Sequence, residues 1–90
     1  MKTIHIIVCG VVQGIGYRQW LKRGAKRYPI TGWVRNIEDG SVEAIVCGEE
    51  KNVDSFMHLV KRGPPLANIT DIKIEPYTTK ETFSLFSVLQ

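Results

Sequence analysis

The run "IHIIVCGVVQGIGYR", from Ile4 to Arg18, limits the possible folds more than any other stretch of the chain. Ile4, Ile6 and Val8 alternate with His5, Ile7 and Cys9, and this period of two lays one strongly apolar face along a strand over residues 3–9. The pattern breaks at Gly10, Gly14 and Gly16. Beyond them Tyr17, Trp20, Leu21, Ala25 and Tyr28 recur at helical spacing, with Lys22, Arg23, Lys26 and Arg27 elsewhere on the wheel and Pro29 at the end. A strand thus feeds through a glycine-rich turn into an amphipathic helix. One glycine or two would reverse the chain; three predict that the backbone approaches something closely, and an anion at the helix start fits best.

The remaining elements follow from the same two periods. "ITGWVRNI" and "SVEAIVCG" read as strands separated by "EDG", where Asp39 and Gly40 signal a hairpin over residues 30–48. Asn52 is a suitable N-cap for a second helix carrying Val53, Phe56, Met57 and Val60, which Gly63 ends and Pro64 and Pro65 keep from continuing. "NITDIKIE" gives a fourth strand with Ile72 and Ile74 on one face, and "FSLFSVL" offers a short, less regular fifth. The order β-α-β-β-α-β predicts a single α+β domain over residues 1–90. It would be a ferredoxin-like sandwich, with an antiparallel sheet of four to five strands and two helices on one face. Such folds host unrelated functions, so the site has to decide.

Residues 1–37 carry seven Lys or Arg and no Asp or Glu, whereas residues 38–90 are net −4. An unopposed basic half favours an anionic ligand, either a small phosphate or a nucleic acid, or else is a solvated helix face. No apolar run approaches the roughly 18 residues of a membrane span, and the start lacks a small-residue cleavage site, so a soluble chain is expected. Cys9 and Cys47 are expected about five residues apart along neighbouring antiparallel strands, roughly 17 Å at ~3.3 Å per residue. A disulfide spans no more than about 7 Å, so free thiols and a reducing, cytoplasmic compartment are expected. His5 and His58 lack metal-ligand spacing and are expected on a strand's outer face and a helix surface. Trp20 and Tyr28 match the core stripe of the first helix.

Free N–H groups in the glycine turn and the positive end of the helix suit a phosphate. Arg18, in the first helical turn, adds a planar fork for phosphate oxygens, and a cation there opposes the helix dipole unless an anion compensates it. A tight connection with a solvated arginine accounts for the same local residues. Neither the G-x-x-x-x-G-K-[ST] loop nor the dinucleotide glycine spacing is present.

"VCGVVQGIGYR" resembles the first acylphosphatase signature, G-x-V-Q-G-V-x-F-R, through Gly10, Val12, Gln13, Gly14 and Arg18. Ile15 and Tyr17 stand where valine and phenylalanine are usual, and Tyr17 brings a hydroxyl that needs a partner if buried. "GWVRNIEDGSVEAIVCG" is similar to the family's second block through Gly32, Trp33, Asn36, Gly40, Val42 and Gly48. The likeness runs from the first strand to the fourth and ends near Pro76; Pro29 stands where relatives often place a glycine. It implies a metal-independent, cofactor-free hydrolase of acyl phosphates, acting as a monomer on a small molecule, with inorganic phosphate or a related anion as ligand and no nucleic acid or membrane partner. By the same resemblance Arg18 and Asn36 are the catalytic pair, and Gln13, Gly14, Ile15, Gly16, Tyr17 and Arg18 form the phosphate cradle. Asn36 alone, just before the hairpin, also fits a turn residue, and Asp39 is turn chemistry. A module that holds phosphate or a nucleic-acid backbone without turning it over is the competing expectation.

Overall fold

The computed structural model describes residues 1–89. Its elements are β1 (Lys2–Val11), α1 (Tyr17–Arg27), β2 (Thr31–Asn36), β3 (Val42–Gly48), α2 (Glu50–Arg62), β4 (Asn68–Pro76) and β5 (Phe86–Val88). The strands form one sheet in the order β4-β1-β3-β2-β5. The first four are antiparallel neighbours, as the β-α-β-β-α-β order requires, and β5 joins the β2 edge in parallel, so the five-stranded sheet is mixed.

The alternation in β1 sorts the layers. Ile4, Ile6 and Val8 face the helices and are buried, as are Val34 of β2 and Val42, Ala44 and Val46 of β3. Leu21 and Ala25 of α1 and Val53, Phe56 and Val60 of α2 close this core, where the Phe56 and Phe86 rings meet edge to face at 5.8 Å. Fully burying a side chain the size of Leu21 stabilises the fold by about 1.5–3 kcal/mol, so the helical stripe read from the sequence is also what fixes α1 to the sheet. On the opposite face His5 bonds Glu43 at 2.7 Å and stacks on Tyr77, and the Arg35 guanidinium lies over the Trp33 ring.

Three local expectations change. The second helix starts at Glu50 with Glu49 as its cap, not at Asn52, and no side chain caps it. Carboxylates at the positive end of a helix are an alternative to a hydroxyl or amide cap. Trp20 and Tyr28 pack against the core without being engulfed by it. Gly10 serves the sheet: the β1–β4 register shifts between Cys9 and Gly10, and a Cβ on Gly10 would lie 2.0 Å from the Asn68 carbonyl oxygen. Only glycine lets β4 approach there. Cys9 and Cys47 are free thiols, with Cys47 opposite Thr3 at the far end of the β1–β3 pair. Among the described residues no helix is long and apolar enough to cross a membrane, and no three His, Cys, Asp or Glu cluster as metal ligands.

Candidate active site

Where β1 ends, residues 12–16 turn the chain into α1. Gly14 and Gly16 have φ of 75° and 79°, the left-handed region, and Gly16 is the residue that caps α1. A Cβ at either would meet nothing within 4 Å, so the dihedral and not crowding calls for glycine there. Left-handed residues alternating with ordinary ones turn successive N–H groups toward one concave side, the geometry of an anion nest. Among the described residues no protein acceptor takes the backbone N–H groups of residues 13–16. The first intrahelical bond is donated by Trp20 to the Gly16 carbonyl, leaving the N–H groups of Tyr17, Arg18 and Gln19 without an acceptor inside α1.

Gly14, Gly16, Tyr17, Arg18 and Gln19, whose N–H groups are free in this way, line a small cavity of about 110 Å³ together with Val12 and Asn36. At ~30 Å³ per water, that is space for a phosphate-sized group and a water. Two far-separated sequence blocks therefore meet at one cavity: the glycine turn, and Asn36 at the end of β2, paired with Val42 of β3. The Asn36 Oδ1 is buried and has no hydrogen-bond partner among the described residues. An acceptor in that condition costs about 1–3 kcal/mol.

The Arg18 Nη1 donates to the Leu89 carbonyl at 2.9 Å, which ties the cavity to the segment after β5. Leu89 in turn donates its N–H to the Val34 carbonyl of β2 at 2.8 Å, so Arg18 is braced against the strand that carries Asn36. Nothing in the local sequence signals a contact across 71 residues.

Gln13 and Ile15, expected in the cradle, are not among the residues that line the cavity. The Gln13 Nε2 donates to the Ile37 and Ser41 carbonyls at 2.8 and 2.9 Å, fastening the cradle loop to the β2–β3 turn one residue beyond Asn36. Ile15 packs against the core. The Tyr17 ring is buried behind the cavity, and its hydroxyl donates to the Val60 carbonyl at 2.8 Å. In a helix that carbonyl would accept from residue 64, but Pro64 has no N–H, so the phenol supplies the missing donor. Burial pushes the Tyr17 phenol well above its ordinary pKa, which keeps it a donor. Gln19, which no sequence motif singles out, forms part of the cavity wall.

Asp39 belongs to the turn, accepting from the Ser41 N–H and hydroxyl. The Ser41 hydroxyl bond is the main cause that holds its carboxyl below the usual value. Burial pushes the Glu43 carboxyl up, but hydrogen bonds from His5 and Arg35 outweigh it and leave the group below its ordinary pKa. Both histidines are remote from the cavity: His5 sits on the outer face of the sheet and His58 is exposed on α2.

The family model described as Acylphosphatase matches residues 4–88. An acylphosphatase of Caldivirga maquilingensis is 45% identical over 86 residues, covering 94% of this chain and 90% of its own. Another, from Methylococcus capsulatus, is 40% identical over 90 residues, covering 100% of this chain and 98% of its own. The crystal structure of acylphosphatase from Bacillus subtilis superposes with a TM-score of 0.95 at 37% identity over the whole of both chains.

Proposed function

Because the chain belongs to the acylphosphatase family, we propose that it hydrolyses the carboxyl–phosphate anhydride of acyl phosphates, with Arg18 and the cradle N–H groups holding the phosphoryl group and Asn36 positioning the water. The water oxygen attacks phosphorus opposite the acyl oxygen. The bond from phosphorus to that oxygen breaks, and its electron pair leaves with the carboxylate. The water's proton passes to a phosphoryl oxygen, and the products are a carboxylate and inorganic phosphate.

A carboxylate is a good leaving group, so the protein's task is to place the reactants and to stabilise charge on the phosphoryl oxygens. Fixed amide donors and a guanidinium do this without a protein base. The backbone of Gln13, Gly14, Ile15, Gly16, Tyr17 and Arg18 provides the cradle, while the Gln13 side chain is a positioning group that sets the distance between the cradle and Asn36. No metal, cofactor, partner chain or nucleic acid enters the scheme, in which the chain acts as a monomer on a small diffusible substrate.

The observation that carries this proposal is that Asn36, from a distant block of the sequence, lines the same cavity as Gly14, Gly16 and Arg18 and has an Oδ1 without a partner among the described residues. A carboxamide accepts and donates at once, which suits holding a water and not removing its proton. The test is phosphate release from benzoyl phosphate, with a chelator present, by the wild type, Arg18→Ala and Asn36→Ala. The expected result is turnover by the wild type and a loss of at least ~10²-fold in each folded variant. Folded wild type that binds phosphate but releases none from benzoyl phosphate would make the chain a holder of anions.

A further inference from the structure

Between α1 and α2 lies an open cavity of about 450 Å³, lined by Trp20, Arg27, Tyr28, Ser55, His58, Leu59 and Arg62. No carboxylate lines it. α1 carries Arg18, Lys22, Arg23, Lys26 and Arg27 with no acidic residue. The carboxylate of α2 beside Ser55, Asp54, turns instead to Lys2, 3.9 Å away, and lines a different cavity. Among the described residues neither Arg27 nor Arg62 forms an ion pair. Most of the basic excess of the first 37 residues thus lies on α1, and one of these residues, Arg27, lines the same site as Arg62 of α2. Two guanidinium groups on one concave surface with no carboxylate beside them favour an anionic ligand there.

The wall is also aromatic. The Arg27 guanidinium lies over the Tyr28 ring, 5.4 Å from its centroid. The Trp20 indole is held in place by its Nε1, which donates to the Leu59 carbonyl at 3.1 Å. A fixed indole and a stacked guanidinium present flat surfaces to a planar ring, Ser55 adds a hydroxyl, and the volume falls within the range of small-molecule sites.

We propose that this inter-helical cavity binds an aromatic phosphate of nucleoside monophosphate size, with Arg27 and Arg62 taking the phosphate and Trp20 the ring. The site is separate from the cradle and independent of whether the chain turns over acyl phosphates. Its chemistry differs as well: side-chain forks and a ring face here, backbone amides there.

The probe is AMP, titrated into isotopically labelled full chain in the presence of enough inorganic phosphate to saturate the cradle, and followed by amide and indole NMR shifts. The expected result is saturable movement of the Trp20 indole N–H and of the Ser55 and His58 amides. Adenosine, lacking the anion, and inorganic phosphate, lacking the ring, should each bind there at least about tenfold more weakly than AMP. Arg27→Gln with Arg62→Gln should weaken AMP by at least about tenfold. Benzoyl phosphate hydrolysis and the melting temperature should be unchanged. Should the double variant melt early, each single substitution carries the same test. Shifts confined to residues 14–18, no saturation by roughly 10 mM AMP, adenosine binding as tightly as AMP, or wild-type affinity in the variants would each overturn the proposal.

Discussion

Replacing Asn36 by alanine should separate catalysis from folding, because the two roles open to this residue predict opposite changes in stability. The buried Oδ1 without a partner costs about 1–3 kcal/mol, and truncation removes that cost. Against it stands the loss of the carboxamide's packing, roughly ten heavy-atom contacts at ~0.1 kcal/mol each. The backbone of Asn36 keeps its place opposite Val42 in the ladder whatever its side chain. The balance runs from no change to about 2 kcal/mol of added stability, and a domain of this size moves its melting temperature by ~4–8 °C per kcal/mol. Thermal unfolding followed by circular dichroism should therefore show Asn36→Ala melting level with the wild type or several degrees above it. Its phosphate release from benzoyl phosphate should fall at least ~10²-fold. A turn residue would behave the other way, lowering the melting temperature while a folded fraction kept its turnover. A fall of more than ~8 °C, or activity within a few-fold of wild type, would refute the assignment of Asn36 to the attacking water.

Other substitutions test the supports around the cavity. Arg18→Lys should lose turnover almost as severely as Arg18→Ala in the same assay, since a point charge reproduces neither the fork nor the brace to Leu89. Gln13→Glu replaces the amide donor with a carboxylate facing the Ile37 and Ser41 carbonyls, so it should lower the melting temperature and reduce kcat more than Gln13→Ala does. Tyr17→Phe removes the donor that stands in for the absent Pro64 N–H, and denaturant unfolding should show a loss of about 1–3 kcal/mol from leaving the Val60 carbonyl unpaired. The Glu43 carboxyl has a lowered pKa in the fold, so its contribution is present above its unfolded-state value and is lost as pH falls through the folded one. Between neutral pH and pH ~3, Glu43→Gln should show a shallower fall in melting temperature than the wild type.

The order of elements was legible because periodicity reports burial directly. Leu21 and Ala25, and Val53, Phe56 and Val60, are the residues that close the core, and each set keeps the helical repeat. What periodicity cannot report is pairing across the chain. The parallel docking of β5 on β2 rests on Phe86 filling the core beside Phe56, and three residues are too few to display a period. Trp20 fits the core stripe by spacing but reaches past it, because its indole N–H finds the Leu59 carbonyl near the end of α2. Gly10 was the harder case. Gly10 has a positive φ of 124°, as Gly14 and Gly16 have theirs, and what sets it apart is the Asn68 carbonyl of β4, into which a Cβ would run.

The cradle is informative in the same way once its alternation is seen. From residue 13 to 18 the odd positions are anchored behind the backbone: Gln13 to the hairpin carbonyls, Ile15 against the core, and Tyr17 to the end of α2. The even positions, Gly14, Gly16 and Arg18, line the cavity, and of the odd ones only Tyr17 does. Two left-handed glycines are tolerable in so short a loop because each is flanked by a residue fixed in a different element, and that fixing holds the N–H groups in place before any ligand arrives. Preorganised donors of this kind lower a barrier because they need no rearrangement when charge develops. The anchors and the donors are consequently one device. Loosening Gln13 should act on the chemical step at the cradle without removing a single contact to the phosphate.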